Sequence, residues 1–356
     1  MTEASAPPQT AALDARAWVA ARLAAPPEAL EIQNVEIPAP GPNEVRIAVS
    51  AFCLDFNDID TIYGRYFLLP FQPPFVPGMA AAGVVEAAGP GAEILLGKRV
   101  VGTTVGAKGS YASAALLGSS SVQIVPEWLS FTDAAAMYFP YVLGWLAIRT
   151  RARVQAGDIV LVHAAAGGIG SGVVQLAKAF GATVIATAGT DEKVKFCYEL
   201  GADYAVNYST ESFLDYVNDV TNGRGVNIAF DTIGGQVTQD TFKAMAFNGR
   251  HLIVGFSADI GVEEHPISLQ PGIYGNFDVC GVCFAFVDSP RGPRMFGMNF
   301  LSSAEGVAMW TDLLQLARQG KIRPVIGREV AFEDVPDALT ALENRQTTGR
   351  SVITLA

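Results

Sequence analysis

The 356-residue sequence contains only four cysteines and three histidines, the residues that cross-link small domains or bind metals. Four dispersed cysteines are too few for a disulfide framework. The spacing Cys280-x-x-Cys283 also occurs in zinc sites, but a structural zinc ion needs four ligands and the histidines form no matching cluster. We therefore predict no bound metal and interpret both cysteines as small apolar residues of a buried strand.

Positive charge and long apolar runs are also scarce. The formal net charge is −11 and no run of lysine or arginine exceeds two residues, whereas nucleic-acid-binding proteins carry a basic stripe that neutralises phosphates. No apolar stretch approaches the ~18–20 residues that span a bilayer. Residues 1–15 lack the pattern of a secretory signal. We expect a disordered tail over residues 1–14 and a cytoplasmic protein that binds neither nucleic acid nor membrane.

Apolar residues make up 50% of the sequence, enough to bury the cores of about two domains. Residues 16–125 hold short β-like runs separated by Gly and Pro, for example residues 44–50 (EVRIAVS), which indicates a β-rich domain. From residue 132 to about residue 284, helical and strand-like segments alternate, which predicts a parallel sheet covered on both faces. Residues 350–355 could return as a strand to the first domain, and the second domain would then be inserted into the first.

One turn in this alternating region carries a binding motif. Residues 164–170 (AAAGGIG) stand between a predicted strand (IVLVH) and a predicted helix. Gly167 is expected to allow a tight turn, and Gly170 to let the helix pack closely on the strand. Gly168 and Ile169 would present backbone N–H groups to a pyrophosphate at the helix N-terminus. The strand–turn–helix context makes this segment a predicted dinucleotide site.

The residues after the second strand favour NADPH over NADH. Sites specific for NADH usually have an acid at the end of that strand, which binds the ribose 2′-hydroxyl. This sequence has Ala188 and Gly189 there, followed by Thr190 and Lys193, with Tyr208 after the next strand. These side chains include donors suited to a 2′-phosphate. Two acids follow Thr190 and argue for NADH, but acids that open a helix more often cap it.

Further motifs extend over nearly the whole chain from about residue 13. They are Pro40-Gly41-Pro42-Asn43-Glu44-Val45, Pro77-Gly78, Gly83-Val84-Val85, Gly181-Ala182-Thr183-Val184, Leu200-Gly201-Ala202-Asp203, Asp231-Thr232-Ile233-Gly234 and Gly349-Arg350. With residues 164–170, they resemble the zinc-independent quinone oxidoreductases (zeta-crystallin-like) of the medium-chain dehydrogenase/reductase superfamily. The resemblance implies an α/β fold in which a Rossmann domain with a doubly wound parallel sheet (residues 141–285) is inserted into a GroES-like, β-rich substrate domain (residues 15–140 and 286–356). It also implies NADPH as the cofactor and a homodimer.

The same resemblance implies which residues hold the cofactor. Lys193 and Tyr208 would bind the 2′-phosphate, and Arg345 would reach the cofactor. The other expected cofactor-binding residues are Ala166, Gly167, Gly168, Ile169, Gly189, Thr190, Asp231, Ile233, Gly255, Phe256, Ser257, Val282, Cys283 and Phe284, of which residues 255–257 and 282–284 would line the nicotinamide half. Met79 stands where the superfamily's zinc enzymes have the Glu of a Gly-His-Glu signature, so metal-assisted alcohol oxidation is not expected.

The family lines its active site with the segment that corresponds to residues 55–66. In the similar enoyl-thioester reductases, the tyrosine that matches Tyr66 is the proton donor, so Tyr66 is the candidate acid, the alternative being a packing role. Asp55 stands where these families usually have Asn, and would either orient a substrate hydroxyl or cap a helix that begins near Phe56. Leu143-Gly144 replace a Thr-Ala pair that often contacts the nicotinamide.

The predicted function is an NADPH-dependent, zinc-independent reductase that transfers hydride to a small-molecule quinone or activated alkene (enone). This reaction needs a positioned hydride and a proton for the acceptor. One alternative is an enoyl-thioester reductase, which needs a basic entrance that Arg65 and residues 291–294 (RGPR) could provide. The other is a non-enzymatic NADPH-binding protein, which the departures at Asp55 and Leu143 favour.

Overall fold

The structure, a computed structural model, describes residues 11–66, 70–258 and 266–355. The chain divides into a first unit (residues 1–138, 285–307 and 328–356) and a second unit (residues 139–284 and 308–327). Most of the predicted N-terminal tail lies outside the described residues. Its last two residues, Leu13 and Asp14, belong to the first strand, which contradicts this part of the prediction.

Antiparallel strands form the framework of the first unit. Strands β1 (Leu13–Ala20) and β2 (Leu30–Ile37) make a two-stranded ribbon. A larger sheet contains β3 (Glu44–Cys53), β4 (Ala80–Ala88), β5 (Arg99–Thr103), β6 (Ala114–Gly118), β7 (Gln123–Ile124), β14 (Ile326–Val330) and β15 (Arg350–Thr354). Its order is β14-β15-β3-β4-β5-β7, and β6 also pairs with β3.

The last strand returns to the first unit from the end of the sequence. In β15, Val352 pairs with Cys53 of β3 and Thr354 pairs with Ala51, in antiparallel register. Ile353 is fully buried in the same apolar core as Phe52. The predicted return strand is therefore confirmed, and the first unit is discontinuous in sequence.

Short helices complete the first unit. They are α1 (Pro26–Ala29), α2 (Phe56–Tyr63), α9 (Arg291–Arg294) and α11 (Val335–Glu343). Helix α2 ends at Gly64, whose φ of +75° is the left-handed conformation common at helix C-termini. Two longer helices begin in the first unit and end in the second. They are α3 (Phe131–Trp145), which continues as a π-helix (Leu146–Arg151), and α10 (Ser303–Arg318).

Six parallel strands form the framework of the second unit. They are β8 (Ile159–Val162), β9 (Thr183–Ala188), β10 (Tyr204–Asn207), β11 (Val226–Asp231), β12 (Met245–Ile253) and β13 (Asp278–Gly281). The order is β10-β9-β8-β11-β12-β13, and each neighbouring pair is parallel. The chain thus winds outwards in both directions from the centre, which confirms the predicted doubly wound sheet.

Helices alternate with these strands, as the sequence pattern predicted. They are α4 (Gly168–Ala179), α5 (Asp191–Glu199), α6 (Phe213–Thr221), α7 (Gly235–Lys243) and α8 (Gln270–Gly275). Strands β8 and β9 are almost wholly buried Val, Ile, Leu and Ala, as expected for a sheet covered on both faces. Among the helices that the structure describes, none is long and apolar enough to cross a membrane.

One segment groups differently from the prediction. Residues 308–327, which the sequence analysis assigned to the first domain, belong to the second unit. The hydrogen bonds of Arg323 supply a physical reason. Its backbone carbonyl accepts from the Tyr141 hydroxyl and the Gln175 amide, and its backbone N–H donates to Gln175 Oε1 over 2.9 Å. These contacts anchor the segment on α3 and α4.

Candidate cofactor and substrate sites

The cofactor residues predicted in the second unit collect at one edge of its parallel sheet, because parallel strands all end at the same edge. Residues 164–170 follow β8, residues 189–190 follow β9, and Tyr208 follows β10. Residues 231–233, 255–257 and 282–284 lie at the ends of β11, β12 and β13 in the same way. The strand order reverses between β8 and β11, which is the position where open α/β sheets bind ligands.

The glycine-rich turn differs from the prediction in one detail. The residue in the left-handed conformation is Ala164, with φ +49°. Gly167 has φ −79° and ψ 178°, which is extended backbone that any residue adopts, and it serves as the N-cap of α4. The prediction that Gly167 supplies the turn's special dihedrals is therefore wrong. Its backbone N–H instead closes the turn by donating to Ala164 O over 2.9 Å.

Gly170 has the packing role that the motif predicted. A Cβ at this position would lie 2.4 Å from Ala164 O and 2.8 Å from Ala165 Cα, so only glycine fits without a backbone shift. The first turn of α4 therefore packs directly on the strand–helix turn. The first N–H groups of a helix have no intrahelical partner, and here they belong to Gly168 and Ile169. The arrangement fits a pyrophosphate, which helix N-termini attract.

The end of β9 fits a 2′-phosphate better than a free ribose hydroxyl. Tyr208 lies against Gly189, where a Cβ would come within 2.8 Å of the tyrosine hydroxyl. Thr190 caps α5 by accepting from the backbone N–H of Lys193. Asp191, the first acid after Thr190, accepts a 2.7 Å hydrogen bond from Asn207 Nδ2. Its carboxylate is thus used in joining α5 to β10.

Asp231 is buried, and both oxygens of its carboxylate are engaged inside the second unit. One oxygen accepts from the backbone N–H groups of Ile233, over 2.8 Å, and Gly234, over 3.1 Å. The other accepts from the Thr238 hydroxyl and lies 3.2 Å from His251 Nε2. The residue sits at the predicted place, and its carboxylate organises the loop between β11 and α7.

The remaining residues that were predicted to line the nicotinamide half follow strands β12 and β13. Ser257 donates to Thr232 O through its backbone N–H and its hydroxyl, which joins the loop after β12 to the loop after β11. Val282 continues from β13 with its N–H bonded to Ile253 O. Phe284 packs with Phe139 at a ring-centroid distance of 5.0 Å. Neither Cys280 nor Cys283 is fully buried, so the prediction of a buried-strand role for both is wrong.

In the first unit, Asp55 takes the second of its two predicted roles and caps α2. It forms a capping box with Asp58, whose carboxylate accepts the backbone N–H of Asp55 over 2.9 Å. Arg350 of β15 pairs with the Asp55 carboxylate through two hydrogen bonds, Nη1–Oδ1 at 2.6 Å and Nη2–Oδ2 at 3.0 Å. Both side chains are less than a tenth exposed. The Asp55 carboxylate is thus neutralised within the unit.

The groups around this pair are buried too, and burial changes their pKa values. Burial, reinforced by the Asp55 carboxylate, raises the pKa of Asp58 to about 7. The Tyr111 hydroxyl donates to Asp58 over 2.7 Å. Burial likewise raises the pKa of the Cys53 thiol to about 11, although the Arg350 guanidinium opposes the shift. Cys53 therefore stays a neutral thiol at physiological pH.

Tyr66, the candidate acid, is half-buried just after α2, and its backbone N–H donates to Asp60 O. Its neighbour Arg65 binds the Asp60 carboxylate at 3.0 Å and stacks over the Tyr63 ring at 4.1 Å. Arg345, predicted to reach the cofactor, lies at the end of α11 with a left-handed φ of +57°. The structure therefore places Tyr66 and Arg345 in the first unit together with Asp55.

The sequence analysis missed Arg350 as the partner of Asp55, and it missed Asp58 and Tyr111. One local signal was available, because the spacing Asp55-x-x-Asp58 is that of a capping pair with an acid at the third helical position. No local signal identifies Arg350, since 295 residues separate it from Asp55. Its role depends on the return of β15 to the first unit.

Family models match both units. The model described as "Alcohol dehydrogenase GroES-like domain" matches residues 41–143, and the model described as "Zinc-binding dehydrogenase" matches residues 168–294. Within the part of the chain that the structure describes, no three His, Cys, Asp or Glu side chains form a group that could hold a metal ion. The described residues therefore do not fit a zinc site, in spite of the second description.

Individual relatives extend the match over nearly the whole chain. Rat quinone oxidoreductase-like protein 2 is 34% identical over 92% of this chain and 89% of its own length. A Burkholderia 2-haloacrylate reductase is 33% identical over 64% of this chain and 69% of its own length. A mycobacterial protein solved in complex with NADPH superposes with a TM-score of 0.82 at 26% identity, covering 96% of this chain and all of that one.

A GroES-like unit, a Rossmann sheet and these relatives define an oxidoreductase of the medium-chain dehydrogenase/reductase superfamily. Within that superfamily, the chain belongs to the quinone oxidoreductase branch, as its motifs predicted.

Proposed function

We propose that the protein is an NADPH-dependent reductase that transfers hydride to a quinone or an activated alkene without a metal. The observation that carries this proposal is the second unit's sheet edge, where a glycine-rich turn opens α4 at the reversal of strand order. When bound, NADPH supplies the hydride. This chain's residues hold the cofactor, orient it and provide a proton.

The preference for NADPH over NADH rests on the end of β9. No carboxylate stands at Ala188 or Gly189, and Asp191 is bound to Asn207. The proposed 2′-phosphate ligands are Lys193 and the hydroxyl of Tyr208, which packs on Gly189. The mycobacterial neighbour was solved with NADPH, which supports the same choice here.

The acceptor class is proposed from the relatives together with the first unit. One relative is named for quinones and another for 2-haloacrylate, which is an alkene activated by its substituents. Both acceptors take up a hydride and then need a proton. Tyr66 is the proposed donor of that proton. Asp55 is not proposed as a base, because Arg350 already holds both of its carboxylate oxygens.

The enoyl-thioester alternative has less support from the structure. A phosphopantetheine or CoA arm needs cations at the entrance, and two of the candidate arginines, Arg65 and Arg294, already have partners. Arg65 is bound to Asp60, and Arg294 donates to Asn299 over 3.1 Å. We therefore propose small quinones or enones ahead of acyl thioesters.

Stopped-flow oxidation of NADPH against three acceptors tests the proposal. A soluble benzoquinone, a small enone and crotonyl-CoA are compared at equal concentration, with NADH replacing NADPH as the control. Turnover with the quinone or the enone, at least ten times faster than with crotonyl-CoA, supports the proposal. Preference for crotonyl-CoA would favour the thioester reductase. Tight NADPH binding with no turnover on any acceptor would favour a non-enzymatic binding protein.

We further propose a cytoplasmic location, and a homodimer as the family resemblance implied. Strand β13 is an edge strand of the parallel sheet, and the preceding helix α8 exposes about three quarters of Ile273 and Tyr274. A second copy of this chain is the proposed cover of that edge. Light scattering should give twice the chain mass for the wild type and the chain mass for a Tyr274→Lys variant. A wild type at the chain mass would contradict the homodimer.

A further inference from the structure

A buried polar network underlies the sheet edge described above, and Asp231 is its centre. The carboxylate of Asp231 is only 1% exposed and lies at the end of β11 beside the reversal of strand order. Its hydrogen bonds to the N–H groups of Ile233 and Gly234 fix the first residues of the following loop. On its other side it binds Thr238 of α7 and lies against His251 of β12.

The loop that Asp231 fixes in turn holds the loop after β12. Thr232 O accepts the Ser257 hydroxyl over 2.9 Å and the Ser257 N–H over 3.2 Å. Ile233 O accepts the N–H of Ala258 over 2.8 Å. Asp231 thus holds both loops that are expected to contact the nicotinamide half of the cofactor, the first directly and the second through the first.

A second arm of the network runs to the glycine-rich turn. His163, the residue before that turn, is buried between two hydroxyls. Its Nδ1 lies 3.1 Å from Thr187 Oγ1 of β9, and its Nε2 lies 2.8 Å from Thr241 Oγ1 of α7. Thr241 follows Thr238 by one helical turn. Helix α7 therefore carries both contacts, one to Asp231 and one to the strand that leads into the phosphate-binding turn.

His163 and Asp231 each keep one protonation state at physiological pH. Burial lowers the pKa of His163 to about 4, so this imidazole is neutral at physiological pH. Burial alone would raise the pKa of Asp231, but the contacts with His251, His163 and Thr238 outweigh it and hold that pKa below its usual range. Asp231 is therefore a buried anion over the whole physiological range, with strong hydrogen bonds to backbone donors.

We propose that Asp231 is a positioning residue for the nicotinamide half of the bound dinucleotide, acting through the loops at residues 232–234 and 255–257 without touching the cofactor itself. The proposal rests on the proposed function, since it presupposes that NADPH binds at this sheet edge. It predicts that the two halves of the cofactor respond differently to a change at Asp231. The adenosine half would bind the residues after β9 and β10, which lie on the other side of the strand-order reversal from Asp231.

The test compares two ligands on the full chain. NADPH contains both halves, and adenosine 2′,5′-bisphosphate contains only the adenosine half with its 2′-phosphate. Asp231→Asn should weaken NADPH binding at least tenfold and leave the bisphosphate within twofold of wild type. It should also reduce the nicotinamide fluorescence enhancement at saturation, which a loss of stability alone would not do. Asp240→Asn, which removes a partly exposed carboxylate paired with Lys243 on the same helix, is the matched control and should change the affinity for neither ligand.

Milder variants keep the test decisive if Asp231→Asn does not fold. Thr238→Val removes one hydroxyl from the network and should weaken NADPH selectively, whereas Thr238→Ser retains the hydroxyl and should restore the wild-type affinity. Equal losses for NADPH and the bisphosphate in the Asp231 or Thr238 variants would overturn the positioning role and leave NADPH binding intact. Failure of the wild type to bind NADPH would instead overturn the proposed function, and the positioning role with it.

Discussion

Removing the guanidinium of Arg350 is the sharpest test of how the first unit is held together. Its two hydrogen bonds to Asp55 are 2.6 and 3.0 Å long, and the side chains are 5% and 8% exposed. In Arg350→Met the Asp55 carboxylate remains buried without its cation, three residues from the carboxylate of Asp58. Breaking a buried pair from one side costs about 3–5 kcal/mol, because the remaining charge is uncompensated.

The partner substitution should recover much of this loss. Asp55→Asn keeps a side chain that can cap α2 but leaves Arg350 unpaired. The double variant contains neither charge. We therefore expect the summed losses of unfolding free energy in the two single variants to exceed the loss in the double variant by at least about 2 kcal/mol. A conventional unfolding curve would report the unfolding of both units together, so the measurement must be specific to β3 and β15.

Hydrogen exchange of the β3–β15 amides provides that measurement. Leu54 donates to Ser351 O across this pair of strands. Its protection should fall by about 2 to 3.5 orders of magnitude in Arg350→Met, at about 1.4 kcal/mol per factor of ten. The same cycle on Arg22–Glu31, a pair with about half of each side chain exposed, should give a coupling below about 1 kcal/mol. Strictly additive losses at Asp55 and Arg350 would refute the buried-pair argument.

Four further substitutions separate the roles proposed above. Lys193→Ala should raise the KM for NADPH at least tenfold and leave that for NADH nearly unchanged; equal changes would remove its 2′-phosphate role. Gly170→Ala should weaken both dinucleotides together in fluorescence titrations, because its Cβ would meet Ala164 O at 2.4 Å. Tyr66→Phe should lower kcat at least tenfold with little change in NADPH affinity, and an unchanged kcat would exclude it as the acid. The folded protein raises the pKa of Asp58 to about 7, whereas in the unfolded chain this carboxyl deprotonates near pH 4. The folded state therefore loses stability as the pH rises from about 4 to 7. Asp58→Asn should flatten that decline by up to about 1.4 kcal/mol per pH unit, measured as the stability of the first unit from exchange of the β3–β15 amides.

The sequence predicted the second unit well because its signals are local. Each strand is a short apolar run between a helix and a turn, so the alternation of strands and helices and the parallel sheet followed from the pattern. The dihedrals within the turn did not follow, since the left-handed residue is Ala164 and not a glycine. Alanine rarely adopts this conformation, so residue type alone pointed to the glycines of the turn.

Long-range features of the first unit could be predicted only in part. The return strand was visible as a β-like run, and its pairing with β3 is confirmed. The counter-charge of Asp55 was not visible, because a buried ion pair is specified by the fold and not by spacing. The assignment of residues 308–327 failed for the same reason. Their anchors, Tyr141 and Gln175, lie more than a hundred residues earlier.

The two departures from the family pattern, at Asp55 and at Leu143-Gly144, were the grounds for a non-enzymatic protein, and both have a packing explanation. Arg350 neutralises Asp55, so the change from Asn does not place a free carboxylate in the first unit. Leu143 is buried in α3, and a Cβ on Gly144 would lie 2.9 Å from Leu176 of α4. Glycine at this position therefore lets α3 approach α4 without a shift of the Leu176 side chain. Lost catalysis is therefore not needed to explain either departure, and the relatives support an oxidoreductase.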